Sequence, residues 1–113
     1  LVPGCGRGHE VIFLAKNGFD VTAIDFSLGA VVYLQGALEE RNLSCRVLHQ
    51  DFFCLDNSHD GIYDLVLEQT FFCAIPPRKR QDYIIKQLFI PQSPFRISLQ
   101  LFIIQNMCTH IYV

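Results

Sequence analysis

The sequence predicts an α/β protein built on a mostly parallel sheet with helices on both faces. Three observations carry that prediction. Short apolar runs alternate with longer segments of helical pattern, the signature of βαβ units. A glycine-rich turn stands between the first such run and the first helical segment. Acidic residues then follow successive runs, where the carboxyl ends of parallel strands gather.

Each element has a local reason. Leu1-Val2 reads as the end of a strand, and with Leu rather than Met at position 1 the sequence predicts a fragment, incomplete at both ends. Pro3-Gly4-Cys5-Gly6-Arg7-Gly8 is the densest run of helix breakers, so a helix is expected directly after it, over 10–16, apolar nearly all round. Asn17-Gly18 supplies its stop, with Gly18 suited to a left-handed backbone. A short buried strand is expected over 21–24, ending in Asp25. Ser27 can cap a second helix from Leu28 to about Glu40, turning Leu28, Val31, Val32 and Leu38 inward, with Asn42 ending it.

The pattern then repeats. Residues 45–48 read as a third strand, followed by Gln50-Asp51-Phe52-Phe53. Asp60-Gly61 signals a turn, and a fourth strand is expected over 63–67 with Glu68 at its end. Pro76-Pro77 can open a helix that runs through Leu88, because proline fits a first turn. Beyond a loop bounded by Pro91 and Pro94, Phe95, Ile97, Leu99 and Leu101 alternate with Arg96, Ser98 and Gln100. That alternation predicts a half-exposed strand, and as a sheet edge it would favour self-association.

Composition narrows the function. The 113 residues make one domain, 1–113, and with 50% hydrophobic and 18% charged residues they exclude disorder. Nine basic against eleven acidic residues give a net charge of -2, so electrostatics offers no case for a nucleic-acid partner. Five cysteines without a C-x-x-C pair fit a reducing compartment, and a cytoplasmic location is expected. No run of about 20 apolar residues predicts a membrane span. His9, His49, His59 and His110 lack a paired-ligand spacing, so no metal site is expected. Cys5, Cys54 and Cys73 read as buried small apolar residues rather than nucleophiles.

The glycine run has a physical job. Gly4 allows a tight strand-to-helix turn, Gly6 lets a ligand approach the backbone, and Gly8 lets the helix pack close to the sheet. Asp25 lies 21 residues beyond Gly4, a distance that suits a carboxylate meeting a ribose hydroxyl pair. Together they point to a nucleoside-containing cofactor. The loop is G-x-G-x-G rather than the G-x-G-x-x-G of nicotinamide binding, and the absence of any Gly-Lys pair excludes the lysine-bearing phosphate loop.

Val2-Pro3-Gly4-Cys5-Gly6-Arg7-Gly8 and Val21-Thr22-Ala23-Ile24-Asp25-Phe26-Ser27 resemble the first two cofactor motifs of class I S-adenosylmethionine-dependent methyltransferases. The segment from Glu68 through Pro77, Glu-Gln-Thr-Phe-Phe-Cys-Ala-Ile-Pro-Pro, is similar to the thiopurine S-methyltransferase-like family, which also holds thiol and halide methyltransferases. The resemblance spans about residues 1–88 and implies a Rossmann-like fold with S-adenosyl-L-methionine as cofactor. It implies that Gly4, Cys5, Gly6 and Gly8 surround the methionine part. It puts Asp25 at the ribose, with Phe26 packed on the adenine, and counts Ser27 among the cofactor-binding residues. It further implies that Asp51 accepts from the adenine amino group, that the Phe52 backbone addresses a ring nitrogen, and that Glu68 and Thr70 lie near the methionine end. The implied reaction is in-line transfer of a methyl group to a small soft nucleophile (a thiol, thiopurine or halide), and the residues single out no catalytic group. Two other readings compete: a non-enzymatic remnant of such an enzyme, and a nicotinamide-dependent oxidoreductase.

Overall fold

The computed structural model describes residues 1–68 and 70–90. The chain divides into two compact units, one of residues 1–54 and one beginning at Leu55. The first unit runs β1 (Val2–Pro3), α1 (His9–Lys16), β2 (Thr22–Asp25), α2 (Leu28–Glu39) and β3 (Arg46–His49), closing on a 3₁₀ turn at Phe52–Cys54. The three strands are parallel and lie in the order β1-β2-β3. Ala23 pairs with Val2 on one side and Val47 on the other, and Asp25 pairs with His49. Both crossovers step the same way along the sheet, and right-handed crossovers then place α1 and α2 on the same face.

A core of Val2, Cys5, Val11, Val21, Ala23, Leu34 and Leu38 joins that face of the sheet to both helices. Its composition follows from the strands, since β2 is buried along its whole length and β3 only partly. The face of α2 that turns inward is set by Val31, Leu34, Ala37 and Leu38. The expected inward placement of Leu28 and Val32 is corrected: both are exposed. Helical periodicity admits several neighbouring stripes, and here the one centred on Leu34 met the sheet. Likewise α1 is not covered all round. Val11 is its one buried residue, and Phe13 faces outward.

The helix ends were legible from turn chemistry. After α1, Gly18 takes φ 81° and donates to the Ala15 carbonyl, while the Phe19 N–H donates to that of Leu14. After α2, Asn42 takes φ 53°, with Asn42 and Leu43 donating to Glu39 and Leu38. Both are the left-handed closure in which successive N–H groups satisfy the last carbonyls.

The second unit carries a 3₁₀ turn at Asn57–His59, the short α3 (Phe71–Ala74), a 3₁₀ turn at Pro77–Lys79 and α4 (Arg80–Phe89). The expected strand over 63–67 is corrected: Tyr63 makes an isolated bridge and no ladder continues through that run. A short apolar run becomes a strand only where a neighbour takes up its backbone groups in register, which local sequence does not specify. Tyr83 of α4 is fully buried against Phe71 and Phe72, with ring centroids 5.6 Å away in each case. The Asp60-Gly61 turn forms, and the Gly61 N–H donates to the carbonyls of Phe89 and Ile90, tying the loop to the end of α4. The expected edge strand over 95–101, with the prolines before it, lies outside the described residues. Among the described residues no helix is long and apolar enough to cross a membrane.

Candidate functional site

The glycine loop leaves β1 through three left-handed residues, Gly4 (φ 60°), Gly6 (φ 51°) and Gly8 (φ 72°). Residues with a Cβ rarely take this conformation, so the alternation of glycines is a backbone requirement. The loop is fastened to β2 twice. The Cys5 N–H donates to the Ile24 carbonyl at 3.2 Å, and the Gly6 N–H donates to Asp25 Oδ2 at 2.9 Å. Around Gly6 a Cβ would meet nothing within 4 Å, which leaves the loop backbone open to a ligand. Gly8 does a different job from the one expected. A Cβ there would fall 2.3 Å from Leu34 Cδ1, so this glycine admits α2 rather than the sheet.

Asp25 is the hinge of the arrangement. The residue is 8% exposed, and its carboxylate accepts from the Gly6 N–H through one oxygen and from the Ser27 N–H, at 2.8 Å, through the other. Each carboxylate oxygen has a second lone pair, so hydroxyl donors can still be received. Ser27 caps α2, its Oγ accepting from the Ala30 N–H at 3.4 Å. Between these two fixed residues Phe26 stands 75% exposed. On the neighbouring strand, the Gln50 N–H donates to the Asp25 carbonyl, and the exposed Asp51 accepts from the Phe53 N–H at 2.9 Å to start the 3₁₀ turn in which Phe52 is buried. Thus the structure brings Gly6, Asp25 and Ser27 into one hydrogen-bonded group, with Asp51 two residues beyond the end of β3.

Glu68 and Thr70 belong to the second unit. Glu68 is buried, and its carboxylate accepts from the Phe72 N–H in the first turn of α3 at 3.2 Å. Burial pushes its carboxyl above the usual range, against the pull of the N–H bonds from Phe72 and Phe71. Thr70 precedes α3 and its carbonyl accepts from Ala74.

The cysteines behave unequally. Cys5 is buried, and desolvation followed by the Asp25 charge pushes its thiol up to about 12, which keeps it protonated and inert. Cys54 is exposed and Cys73 half-buried, which corrects the expectation that both are core residues. Among the described residues no group of His, Cys, Asp and Glu is placed to hold a metal ion. His9, the first residue of α1, is exposed. Two contacts went unread in the sequence: the Arg7 guanidinium lies 5.8 Å over the Tyr33 ring, and His49 Nε2 lies 2.9 Å from the Phe26 carbonyl. The first depends on how α2 packs beside the loop, the second on which residues the strand register sets side by side.

The thiopurine S-methyltransferase (TPMT) family model matches residues 1–100. Thiocyanate methyltransferase 1 of Brassica oleracea is 34% identical over 85 residues, covering 71% of this chain and 35% of that protein. A structure solved in work on the conversion of a disulfide bond into a thioacetal group during echinomycin biosynthesis superposes with a TM-score of 0.73 at 21% identity, over 80% of this chain and 36% of that one. An S-adenosylmethionine-dependent methyltransferase from Clostridium acetobutylicum ATCC 824 gives 0.61 at 19% identity, over 74% and 34%. The chain thus spans about a third of the length of the relatives it matches, and its fold is the Rossmann-like fold of class I methyltransferases.

Proposed function

The chain belongs to the thiopurine S-methyltransferase family, and from that premise we propose that it binds S-adenosyl-L-methionine at the end of β2 and serves methyl transfer to a small, soft sulfur nucleophile. The observation that carries this reading is the group formed by Gly6, Asp25 and Ser27, an open glycine backbone beside a held carboxylate. The residues fit the cofactor on physical grounds. The open side of Gly6 leaves room for a ligand against the backbone, and the loop presents no lysine-based phosphate nest to an already cationic molecule. Gly4, Cys5, Gly6 and Gly8 form the loop along the methionine part. Asp25 receives the ribose hydroxyls, Phe26 offers an exposed ring to the adenine, and Asp51 with the Phe52 backbone addresses the adenine edge.

The cofactor supplies a methyl group activated on a sulfonium. A thiol needs little help as a nucleophile, since its anion forms near neutrality and is intrinsically reactive. Catalysis then rests on holding two reactants in line and excluding water, and no catalytic base is named. A sulfur acceptor is favoured by the thiopurine of the family name and the thiocyanate of the matched relative. The four described cysteines are free, in keeping with a reducing, cytoplasmic setting.

The test is calorimetric titration of the chain with S-adenosylhomocysteine, beside a methyl-transfer assay with thiophenol and thiocyanate. Saturable binding that weakens in Asp25→Ala is the expected result. A folded chain that binds nothing would overturn the reading.

A further inference from the structure

The Phe26–Ser27 peptide group is held at both of its polar ends. Its N–H donates to Asp25 Oδ1 at 2.8 Å, and its carbonyl faces His49 Nε2 at 2.9 Å. A carbonyl only accepts, so Nε2 carries the proton and donates, which both the neutral Nε2–H tautomer and the imidazolium can do. His49 can reach because it pairs with Asp25 across the parallel β2 and β3 ladder, at the last rung before the chain leaves the sheet. Phe26 needs such a restraint. The residue is 75% exposed, with little packing around its side chain, so the backbone on either side of Phe26, which sets the direction of its Cα–Cβ bond, decides where the ring starts from. Asp25 holds the N–H end of that peptide, and the hydrogen bond from the neighbouring strand holds its carbonyl end.

We propose that His49 is a positioning residue for cofactor binding, acting through the Phe26–Ser27 peptide to present the Phe26 ring to the adenine. This rests on the reading of the β2 end as the adenosyl site. The benefit is preorganisation: the ring is oriented before the ligand arrives, and less ordering is left to binding.

The experiment is a double-mutant cycle on the whole chain, read by calorimetric titration with S-adenosylhomocysteine, with thermal unfolding as a control. His49→Phe keeps a ring and loses the donor, and its dissociation constant should rise about fivefold, the worth of one neutral hydrogen bond. His49→Gln carries an amide N–H at nearly the same reach and should stay within about twofold of the parent. The cycle partner is Phe26→Ala. If His49 acts through Phe26, His49→Phe costs nothing further in that background. Parent-like affinity in His49→Phe, failure of glutamine to rescue, or losses that add fully with Phe26→Ala would each overturn the proposal. Absence of binding by the parent chain is the separate outcome that rejects the adenosyl site itself and this role with it.

Discussion

At the scale of single residues, Asp25 does two jobs with one carboxylate, and the two can be separated. Its oxygens accept from Gly6 and Ser27, so Asp25→Ala leaves two backbone donors without their partner and should cost about 1–3 kcal/mol of stability. Loss of a charge-assisted acceptor should weaken cofactor binding by a further 1.5–3 kcal/mol or about that order. Asp25→Asn keeps one acceptor oxygen and should recover much of the stability and little of the affinity. Urea unfolding and calorimetry on both variants check this, and a parent-like dissociation constant in a folded Asp25→Ala chain would remove Asp25 from the site. Asp51 offers a narrower comparison. Its Oδ1 holds the Phe53 N–H, and Asp51→Asn should bind more tightly than Asp51→Ala because an amide oxygen still accepts. S-inosylhomocysteine lacks the amino donor, so it should lose the same discrimination between the two variants. Equal losses for adenosyl and inosyl ligands would place that contact elsewhere.

At the scale of elements, the close approach of α1 and α2 turns on one missing methyl group. Gly8 sits at φ 72°, and a Cβ there falls 2.3 Å from Leu34, which is fully buried and has nowhere to go. Gly18 has a similar φ, 81°, with nothing within 4 Å. Both glycines replaced by alanine carry the left-handed penalty of about 1–2 kcal/mol, but only Gly8→Ala adds overpacking, another 1–3 kcal/mol or so. Denaturant unfolding should therefore separate Gly8→Ala from Gly18→Ala, and equal losses would mean that α2 is free to shift. This pair also shows what sequence reading could reach. That Gly18 takes a left-handed backbone follows from the local grammar of turns and caps, as do the Ser27 cap and the Asn42 stop. That Leu34 rather than the sheet lies against Gly8, and that Leu28 and Val32 face outward, is decided by packing between elements. The bridge at Tyr63 in place of a strand belongs to the same class, since a ladder is a property of two segments. His49 was weighed only as a metal ligand, because nothing local says that it will stand opposite Asp25.

At the scale of the whole molecule, the ionisable groups that shift among the described residues move in one direction, with one exception. Burial raises the carboxyl of Glu68, the thiols of Cys5 and Cys45 and the phenol of Tyr83, while only the exposed Asp56 moves the other way, held down by its bonds from Ser58. A group raised by folding keeps a proton that the unfolded chain releases. Its contribution is whole below the unfolded pKa and is lost as pH climbs toward the folded one. For Glu68 that window opens near 4.5, for the thiols near 9.0, and for Tyr83 near 10.0. Cys5 closes its window at about 12, so between pH 9 and 11 the folded chain holds more protons than the unfolded one in both compact units. Stability should accordingly fall steadily above about pH 9. Urea midpoints measured from pH 7 to 11 under reductant would trace that fall. Cys5→Ala removes one titrating group at the modest, pH-independent cost of a sulfur atom in the core. Its midpoint should lie below the parent's at pH 7 and decline less steeply above pH 9. Parallel curves for the two chains would show that the Cys5 thiol is not held protonated by the fold, and the account of it as an inert core residue beside Asp25 would fail with them.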